Sequence, residues 1–384
     1  MAVGIHISRW ERVFRKMKEK ITILLFLILI AGCKDSMNDP VGLDEVPKNI
    51  PQPVYIEGIL ADSFSNFHSD IHTGPSQKLW VGKTDFIESR ILVRFEVSDS
   101  ALLADADSAT VTLNLNGTWA KGLRCCVYPL TRSWDEATVT WEYSSADSQW
   151  NIPGGDYEES AVIDTLLIND QESKFRLNYD EFFLLDTSLS VNKGMLIVYD
   201  IGDTILSFYS KESASNQLQL TLYYGDSTED YFPQSDAFIT NSTYTQGNNE
   251  VVLSQGYARR ALFYFTLDTI PNDVTVNSAL LEFAFNPSKS FFDTISLYIH
   301  KVTGDWEEDQ TTYSTLPLAG FTVVEGDTLS SEVNITSLVQ TWLNNKDNKG
   351  ILIRAENEAS LCSRLVLDIL NRPMLEIYYT PAPE

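Results

Sequence analysis

Apolar residues along this chain recur at every second position. Ala109, Val111, Leu113 and Leu115 alternate with Thr110, Thr112 and Asn114; Leu218, Leu220 and Leu222 alternate with Gln217, Gln219 and Thr221; Ile295, Leu297 and Ile299 alternate with Ser296, Tyr298 and His300. Successive side chains of a strand point to opposite faces, so each run predicts a strand with one buried and one wet face, the pattern of antiparallel sandwiches. Turn-forming clusters separate the runs: Asn116-Gly117, Pro153-Gly154-Gly155-Asp156, Gly225-Asp226-Ser227-Thr228 and Asn286-Pro287. One segment departs from this period. Ile335, Leu338, Val339, Trp342 and Leu343 stand three and four apart, which predicts a short helix ended by Asn344-Asn345 before a strand at 350–354.

The same order of elements occurs twice. The strand around Arg90 returns around Arg260 and the Ser108-Ala109 strand returns at Ser278-Ala279, both 170 residues on; Trp134 returns at Trp306, 172 on. Asn192-Lys193-Gly194 is answered by Asn348-Lys349-Gly350, and Tyr223-Tyr224 by Tyr378-Tyr379. In the first copy the stretch 179–187 matches the predicted helix in length but lacks its tryptophan. A period this long means whole domains rather than a solenoid. The expected fold is all-β: two tandem antiparallel β-sandwiches of jelly-roll type, each with a short helix, at 53–225 and 236–384, joined by an acidic linker at 226–235. Each copy has its own alternating strands, so each is expected to fold independently. Duplication of a module gives avidity or reach, which favours binding over catalysis.

The first fifty residues carry a different signal. Ile21–Ile30 is apolar apart from Thr22, follows Lys16, Lys18 and Lys20, and ends in Leu29-Ile30-Ala31-Gly32-Cys33. Ten such residues are about half a bilayer as a helix, so the run reads as a signal-peptide core. Residues 1–32 are therefore the expected signal peptide, with Met17 an alternative start. The residues ending at Cys33 resemble the lipobox of bacterial lipoproteins, which implies a lipid on Cys33. Lys34-Asp35 resembles the export tag of Bacteroidota surface lipoproteins. Residues 33–52, with Pro40, Pro47 and Pro51, read as an extended tether. The expected location is the outer membrane, lipid-anchored and facing outward.

Charge narrows the partners. The chain carries −25, and loss of residues 1–32, with six Lys/Arg against two Asp/Glu, takes it to −29. Nucleic acid and anionic membrane surfaces require a basic footprint and are not expected partners, so membrane contact is through the N-terminal lipid alone. A polyanion is repelled too, unless Lys83, Arg90, Arg94 or a bound Ca²⁺ reverses the field locally. Cys125, Cys126 and Cys362 are too few for a disulfide framework and read as strand residues, with at most one of the adjacent pair facing the core.

The candidate chemistry is sparse. Gly-x-Ser-x-Gly, His-Glu-x-x-His and phosphate-loop motifs are absent from the sequence, so no catalytic residue is assigned and no cofactor is expected. His68, Asp70 and His72 would share one face of a strand, but the second copy has Ser242, Tyr244 and Gln246 there and no fourth ligand stands near; no metal is assigned. Trp134, Trp141, Trp306, Tyr313 and Trp342 sit in the repeated motifs and read as packing. Trp80 and Trp119 each occur in one copy, and are the candidates for stacking on a sugar, Trp119 just after the Asn116-Gly117 turn.

The order Ser-Ala strand, Trp134-Asp135-Glu136 or Trp306-Glu307, helix ending in Trp342-Leu343, then Asn348-Lys349-Gly350 is similar to the DNRLRE-type β-sandwich domain, which overlaps carbohydrate-binding module family 96. The resemblance covers nearly all of the expected mature chain. It implies a non-catalytic surface lipoprotein that binds polysaccharide, alone or beside partner surface lipoproteins. The alternative is a structural or adhesive surface lipoprotein without a glycan ligand.

Overall fold

The computed structural model describes residues 51–383 apart from 118–121, 187–191, 308–310 and 371–372. The expected signal peptide, Cys33, most of the tether and Trp119 lie outside these residues. Pro53–Pro381 form one compact unit.

The fold is all-β, built as two sandwiches. In the first, strands Glu172–Leu177, Ser108–Asn114, Gln219–Tyr224 and Ser227–Tyr231 form one sheet in that order. The facing sheet runs Thr204–Tyr209, Lys78–Lys83, Ile87–Arg94, Met195–Ile201, Leu123–Pro129 and Asp164–Ile168. Val111, Leu113, Ile91, Val93, Cys125 and Ile197 meet between them. In the second, Val54–Leu60, Met374–Pro381, Val274–Glu282 and Val333–Asn334 face a larger sheet that includes Glu250–Gln255, Arg259–Tyr264, Thr294–Lys301, Ile351–Ala355 and Ser363–Asp368. Its core gathers Phe263, Phe283, Leu297, Ile353, Leu365 and Ile377.

The two sandwiches exchange their opening strands. Val54–Leu60 and Ser63–His68, at the start of the first sequence copy, pair with Met374–Pro381 and Arg259–Tyr264 in the second. Ser227–Tyr231, in the expected linker, and Ser235–Ser242, at the start of the second copy, pair with Gln219–Tyr224 and Ile87–Arg94 in the first. The segment 226–235, read from its acidity as a linker, contains an edge strand: Thr221 Oγ1 donates to Asp230 Oδ1 at 2.8 Å, and Tyr231 packs against the first core. The bodies therefore do not coincide with 53–225 and 236–384. Ile56 and Ile59 pack on the second core, while Ala237 and Ile239 pack on the first sandwich. The Thr73 hydroxyl fastens one exchanged strand: it accepts from Phe238 N–H at 3.1 Å and donates to the Phe238 carbonyl.

The predicted helix is present at Thr336–Asn345 and buries Leu338, Val339, Trp342 and Leu343. Lys346, at φ 54°, ends it by donating its N–H to the Trp342 carbonyl. In the first copy the corresponding turn, Tyr179–Leu184, is a 3₁₀ helix that buries Phe182 and Leu184. Cys125 is buried in the first core and Cys126 faces outward, as the strand alternation requires; Cys362 is buried where the two sandwiches meet.

The repeated aromatics form an outer layer on each larger sheet. Trp134, Trp141 and Trp150 cover Leu92, Leu196 and Val198 in the first sandwich, and Trp306 and Tyr313 cover Leu262 and Leu352 in the second. Trp134 Nε1 donates to the Lys193 carbonyl at 3.0 Å, and Trp306 Nε1 to the Lys349 carbonyl at 2.8 Å. The repeated asparagines complete this corner: Asn192 Nδ2 donates to the Phe95 carbonyl at 3.0 Å and Asn348 Nδ2 to the Phe265 carbonyl at 2.7 Å. Trp134, Trp141 and Trp150 are buried in this layer, and Trp306 and Tyr313 are half-buried in theirs.

Candidate functional site

Trp80 lies on Lys78–Lys83, where Leu79 and Val81 point into the core. Alternation sends the indole to the outer face of the sheet, toward the second sandwich. There it packs with Ile87, Ile205, Phe238, Cys362 and Phe291, and its Nε1 donates to the Ser360 carbonyl at 3.1 Å. Part of the ring is used in joining the sandwiches, and the residue remains half-buried. The opposite strand holds Ser207, whose hydroxyl donates to the Asn116 carbonyl at 2.9 Å while Asn116 N–H donates to the Ser207 carbonyl at 2.7 Å. The Asn116-Gly117 turn is thereby fixed beside Trp80. Trp119, expected at the tip of the same turn, lies outside the described residues.

Between these groups and the second sandwich runs a cleft of about 510 Å³, within the range of small-molecule sites. The first sandwich contributes Lys78, Trp80, Asn116, Gly117 and Ser207, and the second Gln255, Phe291, Phe292, Asp293 and Glu325. Ser363 Oγ donates to Gln255 Oε1 at 2.6 Å, and Gln255 Nε2 donates to the Asn357 carbonyl at 3.3 Å. Phe291 is held by paired backbone bonds with Arg364, 2.7 and 2.8 Å long. The Arg364 guanidinium is stacked between two rings, 3.5 Å from the Phe86 centroid and 4.0 Å from that of Tyr244. Burial lowers its pKa to about 10. Phe86 comes from the first sandwich and Arg364 from the second, so the stack bolts the cleft walls together. The lining offers aromatic faces, the Asn116 amide, several hydroxyl residues, one ammonium and two carboxylates, which suits a polyhydroxylated ligand with apolar ring faces.

Of the histidine set, His68 and Asp70 stay close, with His68 Nδ1 3.9 Å from Asp70 Oδ1. The strand ends at His68, so Asp70 and His72 do not continue its alternation. His68 stacks on Tyr257 with centroids 4.0 Å apart, beside a smaller cavity of about 100 Å³ lined also by Asp70, Trp141 and Glu142. Among the described residues the potential metal ligands that do cluster are Glu136, Glu212 and Asp236, not the histidines. The cations named as able to reverse the field are each paired. Lys83 Nζ lies 2.8 Å from Glu88, Arg90 Nη2 lies 2.7 Å from the same carboxylate, and Arg94 Nε lies 3.3 Å from Glu96. The Glu88 carboxyl is held below the usual range by Lys83 and Arg90, against the opposing effect of burial. Phe291, Phe292, Gln255 and Glu325 carried no sequence signal, because only the docking of one copy on the other brings them to Trp80.

No curated protein is similar to the chain at a significant level. A solved structure titled BspA_C_WT aligns over 83% of this chain and 91% of its own, at 10% identity and a TM-score of 0.18, too low to bear on fold or function. Residues 227–365, which include the second wall of the cleft, match the family model of carbohydrate-binding module family 96.

Proposed function

We propose that this protein is a non-catalytic, lipid-anchored glycan-binding protein whose ligand lies in the cleft beside Trp80. The family match over 227–365 carries this reading. The cleft supports it with Trp80, Phe291 and Phe292 as ring-stacking surfaces and Asn116, Asp293, Glu325 and Lys78 as groups for hydroxyls. Two carboxylates against one ammonium, on a chain of net charge −25, favour a neutral polysaccharide over a uronate polymer. Affinity electrophoresis of the purified chain through gels cast with neutral and acidic polysaccharides tests this. Retardation by a neutral glycan is expected, and Trp80→Ala should weaken it about tenfold. Trp80 also joins the sandwiches, so its replacement is expected to cost about 1–3 kcal/mol as well, and melting must be measured beside binding. Retention unchanged in a folded Trp80→Ala variant moves the site elsewhere. Retardation in none of the gels leaves the spacer or adhesin reading.

The lipid belongs to the same proposal, since anchoring confines weak sites to a surface where they act together. Cys33→Ala should abolish incorporation of labelled palmitate and leave the precursor unprocessed. Equal labelling of the variant and the wild type would refute Cys33 as the acceptor.

A further inference from the structure

Three carboxylates from distant parts of the chain converge at the start of the exchanged strand Ser235–Ser242. Glu136 follows Trp134 on the outer layer, Glu212 follows the strand Thr204–Tyr209, and Asp236 is the second residue of the exchanged strand. One ligand oxygen from each lies within 4.8 Å of the others. Asp236 N–H donates to Glu136 Oε1 at 2.9 Å, and Lys211 N–H donates to Asp236 Oδ2 at 2.7 Å. The Lys211 ammonium lies 3.0 Å from Glu136 Oε1 and 2.8 Å from Glu212 Oε1. One positive charge thus faces three carboxyl groups.

The independent sign of a ligand is Asp236 itself. The residue is 0% exposed, and its Oδ1 has no hydrogen-bond partner among the described residues. Glu212 Oε2 is likewise buried and unpartnered. A buried carboxylate oxygen without a donor is costly, and a cation or a bound proton relieves that cost. Ca²⁺ takes oxygen ligands at about 2.3–2.6 Å, so oxygens sharing one ion can stand about 5 Å apart; Mg²⁺, at about 2.0–2.1 Å, tolerates only about 4 Å. We propose that Glu136, Glu212 and Asp236 form a Ca²⁺ site, which the ion enters by displacing the Lys211 ammonium. The Lys211 side chain is 23% exposed and has a route to solvent. The ion then ties the exchanged strand to two loops of the sandwich that receives it.

The test is calorimetric titration of the full, EDTA-stripped chain with CaCl₂, and with MgCl₂ in parallel, each paired with a thermal scan. One Ca²⁺ per chain is expected, at a Kd of about 10⁻³ M or tighter, with a rise in melting temperature that Mg²⁺ does not reproduce. Asp236→Asn should lose the binding. Lys211→Met removes the competing ammonium, so it should melt early in EDTA, recover in Ca²⁺, and bind Ca²⁺ about tenfold tighter, a gain of about 1.4 kcal/mol. Absence of saturable binding up to about 10 mM Ca²⁺, in both the wild type and Lys211→Met, overturns the proposal and leaves a proton shared between Asp236 and Glu212. Wild-type affinity in a folded Asp236→Asn variant overturns it as well.

Discussion

Residues 53–225 expressed alone should not yield a stable sandwich. That fragment ends before Ser227–Tyr231 and Ser235–Ser242, which close two of its sheet edges. It loses an eight-residue register from Ser235 to Ser242 against Ile87–Arg94, together with Ala237, Phe238 and Ile239, each at most 2% exposed. Burial of Phe238 and Ile239 alone is worth about 1.5–3 kcal/mol each. With the unpaired ladder added, the loss approaches the 5–15 kcal/mol that holds a typical domain together. The fragment's own opening strand is a poor replacement. Phe238 lies opposite Ile91 and Asn66 lies opposite Ala261, so Asn66 would take the place of Phe238. Asn66 is suited to its own site, where its side chain bonds Val252 and Arg260 backbone groups at 2.7–3.1 Å. Placed against Ile87, Ile205 and Cys362 it would bury an amide in an apolar cluster. Circular dichroism and size exclusion should find the fragment disordered or self-associated, and a peptide of residues 227–242 should restore it. A monomeric fragment melting within a few degrees of the whole chain would show that the exchange is dispensable.

The sequence copy and the folded body are therefore different objects, and this marks where reading the chain stops. The family match begins at residue 227, inside the segment read as a linker, yet 227–242 is built into the first sandwich. Alternation specifies that a strand has one apolar face. It does not say which of two homologous sheets will receive that face. Motif likeness alone would set Asp62-Ser63-Phe64 against Asp236-Ala237-Phe238, but the register puts Phe64, opposite Phe263, where Asp236 stands opposite Val93. Ser227–Tyr231 escaped notice because only Tyr231 touches the core, so the strand reads as an acidic linker. Local features were legible because their physics is local. The helix at Thr336–Asn345 declared itself by its spacing, and the core-facing member of Cys125 and Cys126 followed from parity. The cleft and the carboxylate cluster were not legible, since the first forms by docking of the two sandwiches and the second needs Asp236 of the exchanged strand.

Trp134→Ala should be among the most damaging single substitutions in this chain. The side chain is 5% exposed, packs on Leu92, Leu130, Val139 and Leu196, and donates its Nε1 hydrogen to Lys193. A buried tryptophan cut to alanine costs about 3–5 kcal/mol, and the abandoned Lys193 carbonyl adds to this. Gly194→Ala should act on the same corner: φ is 84°, and a Cβ there would stand 2.5 Å from the Val93 carbonyl oxygen. Trp306→Ala in the second copy breaks the equivalent bond to Lys349 but removes a half-buried ring, so a smaller loss of about 2–3 kcal/mol is expected. Gly350, at φ 83°, carries the same restriction against the Phe263 carbonyl. Because Ala237 and Ile239 of the exchanged strand pack in the Trp134 layer, damage there should loosen that strand too. Denaturant unfolding should therefore show one transition moved as a whole, rather than one half melting early while the other keeps its midpoint. Two resolved transitions in Trp134→Ala, with the second at the wild-type position, would mean that the sandwiches are energetically separate despite the shared strands. A wild-type midpoint would remove Trp134 from the fold's supports.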